Sequence, residues 1–391
     1  MSGGGREFAF DRHAWSVLIW QLVSRAPSGM LNLGLVFFGE GVLGSYAIGG
    51  MLVAAYNIAY AIGSPLAARL LSLIGTAPVL GAYAIVSAGA LAALVMLAPT
   101  APGALILAAV AGFTFPPVTP LARSMYPRIV GRAKLEPVFA VDAIAQEFIW
   151  IVGPLVATSA AWLVGPSAAL LIAASVLLAG VSVFAALPAT RRYGNLHGIA
   201  MASRSTVKGR LDLRLVAILI AVGFFLVGTS GTIELFVVAH FGYDNPAAGI
   251  ALAAISVGSL VGGIFIGKRP LRSGSLPLRL GLALSGLVAA TFSDNVIWLV
   301  IALLISGGGV APAFAGVHTI IATRVPDDRT ALTYSLSHSG QLIGLAVGTA
   351  LAGALIESVS AHAALLASIG SMAIAVAIAT AAPVLRRGLE R

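Results

Sequence analysis

Apolar residues in this chain come in blocks of about 20 positions divided by short polar turns, and they do not alternate one by one. A helix rising about 1.5 Å per residue needs some 20 apolar residues to cross a hydrocarbon layer of about 30 Å. A transmembrane barrel would instead show segments of about 10 residues with dyad alternation. The blocks predict an all-α membrane protein with twelve spans, at 15–39, 43–65, 78–98, 103–123, 137–160, 166–187, 214–239, 246–267, 278–293, 296–321, 331–356 and 361–384. Breaker residues mark the turns, as at Gly75 to Pro78, Pro99 to Pro102, Gly165-Pro166, Tyr243 to Pro246 and Ser293 to Asn295. The ninth block is short and contains Arg279.

The longest hydrophilic interval runs from Pro188 to Arg214 and carries Arg191, Arg192, Arg204, Lys208, Arg210 and Arg214 against one acid, Asp212. It predicts a six-helix bundle over 1–187, a linker over 188–213 and a second six-helix bundle over 214–391. With the N-terminus placed in the cytoplasm, the inner segments hold 22 of the 23 Lys and Arg residues, and the remaining one, Arg25, lies within the first span. Positive charge is retained on the cytoplasmic side of a membrane. The expectation is therefore a multi-pass inner (plasma) membrane protein with both termini and the linker cytoplasmic. The first apolar run, about 25 residues long, exceeds the 7–15 residues of a signal-peptide core and is read as a membrane helix.

Composition agrees. Charged residues make up 9% of the chain, against about 25% in soluble domains, and mean hydropathy is +1.00. The net charge of +9 is explained by its sidedness, so nucleic acid is not an expected partner. Zero cysteines exclude disulfides, thiolate metal sites and cysteine nucleophiles. The six histidines show no metal-binding spacing, and no metal or other cofactor is expected. Gly262 to Lys268 imitates the start of a phosphate-binding loop, but Arg269 replaces the required Ser or Thr and the segment ends a membrane helix. No catalytic constellation is visible, so an enzyme is not expected.

The halves look like repeats. Ala54, Ala55, Gly63 and Arg69 recur as Ala253, Ala254, Gly262 and Lys268 at an offset of 199, and Gly112, Pro116 and Arg128 recur as Gly308, Pro312 and Arg324 at an offset of 196. Two six-helix halves in one orientation are what a parallel repeat gives. With this topology and basic central linker, the chain resembles the major facilitator superfamily of secondary transporters over essentially its whole length, most closely the twelve-helix efflux-type members. Gly63 to Gly75 lies where that family has its loop between helices 2 and 3, though without the usual Asp-Arg pair at Ser72 and Leu73. Gly153-Pro154 resembles the Gly-Pro core of the exporter motif in helix 5, with Ile149 in place of a glycine, and Phe115 to Arg123 resembles the proline-rich end of helix 4. The resemblance implies two pseudo-symmetric six-helix bundles around one central cavity, acting as a monomer.

Ionisable groups inside the bilayer cost roughly 2.5–3.5 kcal/mol each on insertion scales, so each needs a reason. Gln21, Arg25, Ser28 and Asn32 form one stripe of the first helix. Arg25 either binds an acidic group of a substrate or pairs with an acid of helix 5. Helix 5 offers Asp142 and Gln146 on one face and Glu147 at a depth similar to Arg25. Glu147, with Arg25 as modulator, fits a proton carrier, and Asp142 is a second candidate for proton coupling; a permanent ion pair is the alternative. Asn32, Tyr56, Glu234, His338 and Gln341 are candidate substrate contacts, with packing or solvation as the other reading for each. Glu40, Asp244, Asp294 and Glu357 belong near outer turns, in solvent. The expected function is proton-coupled export of a small organic, amphipathic compound by alternating access within the lipid bilayer. Uptake of a sugar, organic anion or amino acid is the alternative.

Overall fold

The computed structural model describes residues 12–97, 100–131, 135–194, 212–267, 269, 274–292 and 295–382. The linker predicted over 188–213 therefore lies largely outside the described residues. The helices in order are α1 (Arg12–Arg25), α2 (Ser28–Gly41), α3 (Tyr46–Ile74), α4 (Thr76–Met96), α5 (Ala101–Phe113), α6 (Val118–Val130), α7 (Leu135–Leu163), α8 (Ala168–Ala186) and the short α9 (Pro188–Tyr193). After the linker come α10 (Leu213–Phe241), α11 (Pro246–Gly262), α12 (Ser275–Ala289), α13 (Val296–Arg324), α14 (Asp327–Ser358) and α15 (Ala361–Ala381). Helix α11 runs on into a widened π turn over Gly263–Gly267. Among the described residues, 11 helical stretches are long and apolar enough to cross a membrane. The twelfth span is the first one, which is divided into two helices of 14 residues each.

The turn residues read from the sequence act as helix caps. Asn245 accepts from the Ala247 N–H at 3.0 Å, Asn295 from Ile297 N–H at 2.9 Å, and Asp212 from Arg214 N–H at 3.0 Å. Each satisfies N–H groups that the first helical turn leaves without an internal partner. Two spans are broken where proline demands it. Pro27 divides α1 from α2, and Pro116-Pro117 divides α5 from α6. Proline has no N–H to donate and disfavours helical backbone in the residue before it.

Glycines set the closest helix crossings, in matching places in the two halves. A Cβ on Gly63 would strike the Phe113 carbonyl, and one on Gly112 would strike that of Tyr56. In the second half Gly262 meets the Gly308 carbonyl and Gly307 that of Ile255. Tyr56 and Ile255 differ by the same 199 positions as Gly63 and Gly262. The contacts between second and fourth spans thus repeat, with the second span at the offset of 199, but in the fourth span Gly112 and Phe113 answer to Gly307 and Gly308, an offset of 195 that corrects the 196 read from the sequence. Across the halves, α3 packs on α14 and α7 on α11.

The ninth span, α12, is held by its arginine. Arg279 is 6% exposed, and its Nη1 donates to the Pro312 carbonyl at 2.8 Å while Nη2 donates to those of Arg269 at 3.0 Å and Ile266 at 3.4 Å. It ties the turn after α11 to α13.

Candidate functional site

Both proline breaks lie beside an arginine. Arg25 ends α1, thirteen residues in from Arg12, which is about 20 Å along the helix axis at ~1.5 Å per residue. Ser28 spans the break by donating to the Arg25 carbonyl at 2.8 Å. Arg123 stands on α6, which restarts after Pro117 and so approaches α7 along a new line. The two guanidinium groups converge on one carboxylate.

That carboxylate is Asp142 of α7, fully buried. Its Oδ1 accepts from Arg25 Nη1 at 2.7 Å and from Gln21 Nε2 at 3.0 Å, and its Oδ2 accepts from Arg123 Nε at 2.8 Å. Gln21 Oε1 accepts from Arg25 Nη1 at 2.8 Å, and Gln146 Oε1 accepts from Arg25 Nη2. Arg25 is 5% exposed, whereas the Arg123 side chain is 45% exposed. Charge-assisted bonds of this kind are the strong ones, and they fix the crossing of α1, α6 and α7. Two cations against one anion leave one positive charge over in this cluster.

Of the two partnerships considered for Arg25, the structure forms the one with helix 5, through Asp142 and Gln146. Arg25 and Glu147, read as modulator and proton carrier or as a permanent ion pair, form no ion pair among the described residues. The reason is rotation: one residue turns a helix by about 100°, so Glu147 leaves the face of Gln146. The α7 face carrying Asp142, Gln146, Ile149 and Gly153 meets the first span, where Ile149 and Gly153 both press on Gly29. The next face meets α11, where Ser256 Oγ donates to the Trp150 carbonyl at 3.0 Å and Gly249 lies against Pro154 and Thr158. Glu147 continues that second face by one turn from Trp150. It is partly buried, with no hydrogen bond or ion pair among the described residues.

The other candidates are dispersed. Asn32 Oδ1 accepts from Asn57 Nδ2 at 3.1 Å. Tyr56 is buried, edge-on to Phe115 with ring centres 6.2 Å apart, in the contact of α3 with α5. Gln341 lies against Gly223 and donates to Ser337 Oγ at 3.4 Å. His338 is exposed. Glu234 is partly buried on α10, and its Oε2 has no hydrogen-bond partner among the described residues. Arg123 was missed as a site residue because its position after a proline-rich stretch reads as the end of a span. The clue was that residues 118–130 hold a helical pattern beyond the prolines.

At the end opposite the linker, the halves meet closely. Gly50 touches the Thr349 backbone, Gly353 touches that of Tyr46, and the rings of Phe37 and Tyr243 lie 6.4 Å apart, tilted by 44°. Glu357, exposed as expected, is engaged there: it accepts from Ser45 Oγ and from the Ala47 N–H at 3.0 Å. Toward the linker end, Arg123, His318 and His338 are all exposed.

Membrane-length helices that bury charged side chains define a multi-pass membrane protein. The chain belongs to the Major Facilitator Superfamily, whose model matches residues 17–279 and 215–390. Solved structures with the same fold include the nucleoside transporter NupG, at a TM-score of 0.71 and 13% identity, covering 96% of this chain and 100% of that one. A mutant of NupG matches at a TM-score of 0.71 and 14% identity, covering 95% of this chain and 99% of that one. At this identity the likeness shows the fold. No curated protein matches the sequence.

Proposed function

We propose that this transporter couples the movement of a small organic solute to protons by alternating access between two six-helix halves, 1–187 and 214–391, and that it exports an amphipathic compound. The observation that carries the reading is the α7 arrangement: a charge cluster on one face and the unpartnered Glu147 on the next, at the contact between the halves. Glu147 is the proton carrier. Closing α7 onto α11 over an ionised carboxylate is costly, and protonation removes that cost. Asp142 holds Arg25 and Arg123 in place beside it. The Gly153–Gly29 crossing supports the exporter-like reading, since it gives the Gly-Pro element of α7 a packing role against the first span. The far-end contacts support a state closed there and open toward the linker.

The linker and termini are cytoplasmic, the membrane is the inner (plasma) membrane, and the protein acts as a monomer. Uptake of a sugar, organic anion or amino acid remains the second reading, favoured by a fold shared with a nucleoside transporter. Proteoliposome flux under an imposed pH gradient tests the proposal over a compound panel. Wild type should show gradient-driven movement, Glu147→Gln should lose it, and Arg25→Ala should lose transport altogether. Gradient-driven transport that survives in Glu147→Gln refutes the role of Glu147. Accumulation or depletion in cells fixes the direction.

A further inference from the structure

At the linker end of the first half, the turn from α3 to α4 and the short α9 form a cavity of about 220 Å³, lined by Gly75 to Pro78, Ala185, Thr190 and Arg191. That is well above the roughly 10–15 Å³ that a single water needs. Helix α4, 21 residues long, begins on this wall. Gly75, at a φ of +93°, turns the chain into it and has no side chain with which to cap it. The N–H groups of Thr76 and Ala77 make no hydrogen bond among the described residues, and Pro78 has none to give. A long helix with open N–H groups at its start attracts an anion. Two side chains of α9 add to this. Thr190 is fully buried, and its Oγ1 makes no hydrogen bond among the described residues, although buried hydroxyls are normally paired. Arg191 is exposed, and its side chain makes no ion pair among the described residues, whereas the next residue, Arg192, lies over the Tyr193 ring at 5.4 Å. The walls are fixed to one another: Thr76 Oγ1 donates to the Gly194 carbonyl at 2.7 Å and Arg128 Nη1 to the Tyr193 carbonyl at 3.0 Å, which ties α9 to α4 and α6. Among the described residues no carboxylate lines the cavity. Residues 195–211, which continue the chain from there, hold Arg204, Lys208 and Arg210 and no acid.

We propose that this cavity is a phosphate-binding site that takes either the headgroup of an anionic lipid or a soluble phosphate. It is distinct from the cluster of Arg25, Asp142 and Arg123, none of which lines it. The phosphate oxygens accept from the Thr76 and Ala77 N–H groups and from the Thr190 hydroxyl, and the Arg191 guanidinium supplies the countercharge. Ala77, Pro78 and Ala185 leave an apolar wall for the organic part of the ligand. Because α9 stands where the linker begins, an occupied site pins the start of the linker to the first half.

Equilibrium titration of the purified full-length protein in a neutral detergent tests the assignment. The probes are inorganic phosphate, glycerol 3-phosphate, dihexanoyl phosphatidylglycerol and dihexanoylglycerol, which lacks the phosphate. At least one phosphate-bearing probe should bind, and dihexanoylglycerol should not bind over the same range. Arg191→Gln should weaken that binding by about tenfold, as loss of a charged donor implies, while Arg192→Gln on the neighbouring residue should leave it nearly unchanged. Thr190→Val removes a hydroxyl and keeps the shape. It should weaken binding several-fold while the melting temperature of the empty protein stays the same or rises, because the hydroxyl it removes has no partner to lose. Tighter binding of phosphatidylglycerol than of either soluble probe assigns a lipid headgroup; otherwise the ligand is a soluble phosphate. The assignment is overturned if no phosphate-bearing probe binds, if dihexanoylglycerol binds as tightly as phosphatidylglycerol, or if Arg192→Gln weakens binding as much as Arg191→Gln. It is equally overturned if either Arg191→Gln or Thr190→Val leaves phosphate affinity unchanged.

Discussion

Replacing Asp142 by Asn should expose how much the interior depends on one carboxylate. The substitution keeps the side-chain volume and removes the charge that faces two guanidinium groups. Arg123, 45% exposed, can recover hydration, so its share of the loss is small. Arg25 cannot, because its side chain is 6% exposed and its remaining partners are the amides of Gln21 and Gln146. Removing one partner of a buried pair typically costs about 3–5 kcal/mol, since the other charge stays buried. For a half of roughly 190 residues, about 2–4 °C per kcal/mol translates this into a fall of about 6–20 °C in apparent Tm. The assay is fluorescence-detected size exclusion after a temperature series in detergent. Arg25→Gln combined with Asp142→Asn should recover at least half of the loss, because no unpaired buried cation remains. A single mutant that melts with wild type, or a double mutant whose loss is the sum of the singles, refutes the claim that this pair is buried and coupled.

Other substitutions probe other links. Arg279→Met leaves three carbonyl groups without their shared donor and should cost about 1–3 kcal/mol, read as a lower melting temperature that Arg279→Lys partly restores. Gly153→Leu places a side chain in the Gly29 backbone and should abolish folded, monodisperse protein, whereas Gly81→Leu, with open space around it, should be tolerated. Glu357→Ala removes the acceptor shared by Ser45 and Ala47 at the far-end contact. Because the native chain has no cysteine, Ala47→Cys can serve as a single reporter, and its thiol labelling should speed up several-fold in the Glu357→Ala background. Unchanged labelling would mean that this contact does not hold the far end shut.

Block length and turn chemistry settled the membrane class, the number of spans and most of their ends from the amino-acid order alone. These are local properties: an apolar run of a given length either spans the bilayer or does not, and Asn245 or Asn295 caps the helix that follows it. The repeat of Gly63 as Gly262 was legible for the same reason, since each marks a place where only hydrogen fits, whereas the match for Gly112 slipped by one residue, from Gly307 to Gly308, because composition alone does not say which of three consecutive glycines faces the neighbouring helix. The polar stripe of the first span pointed correctly to Arg25 and to helix 5. What could not be read was which carboxyl would answer. Asp142 and Glu147 are five residues apart at comparable depth, and only the packing of α7 between the first span and α11 turned one to the cation and left the other alone. Arg123 joined the cluster because two prolines redirected α6 in space, and a linear pattern carries no direction.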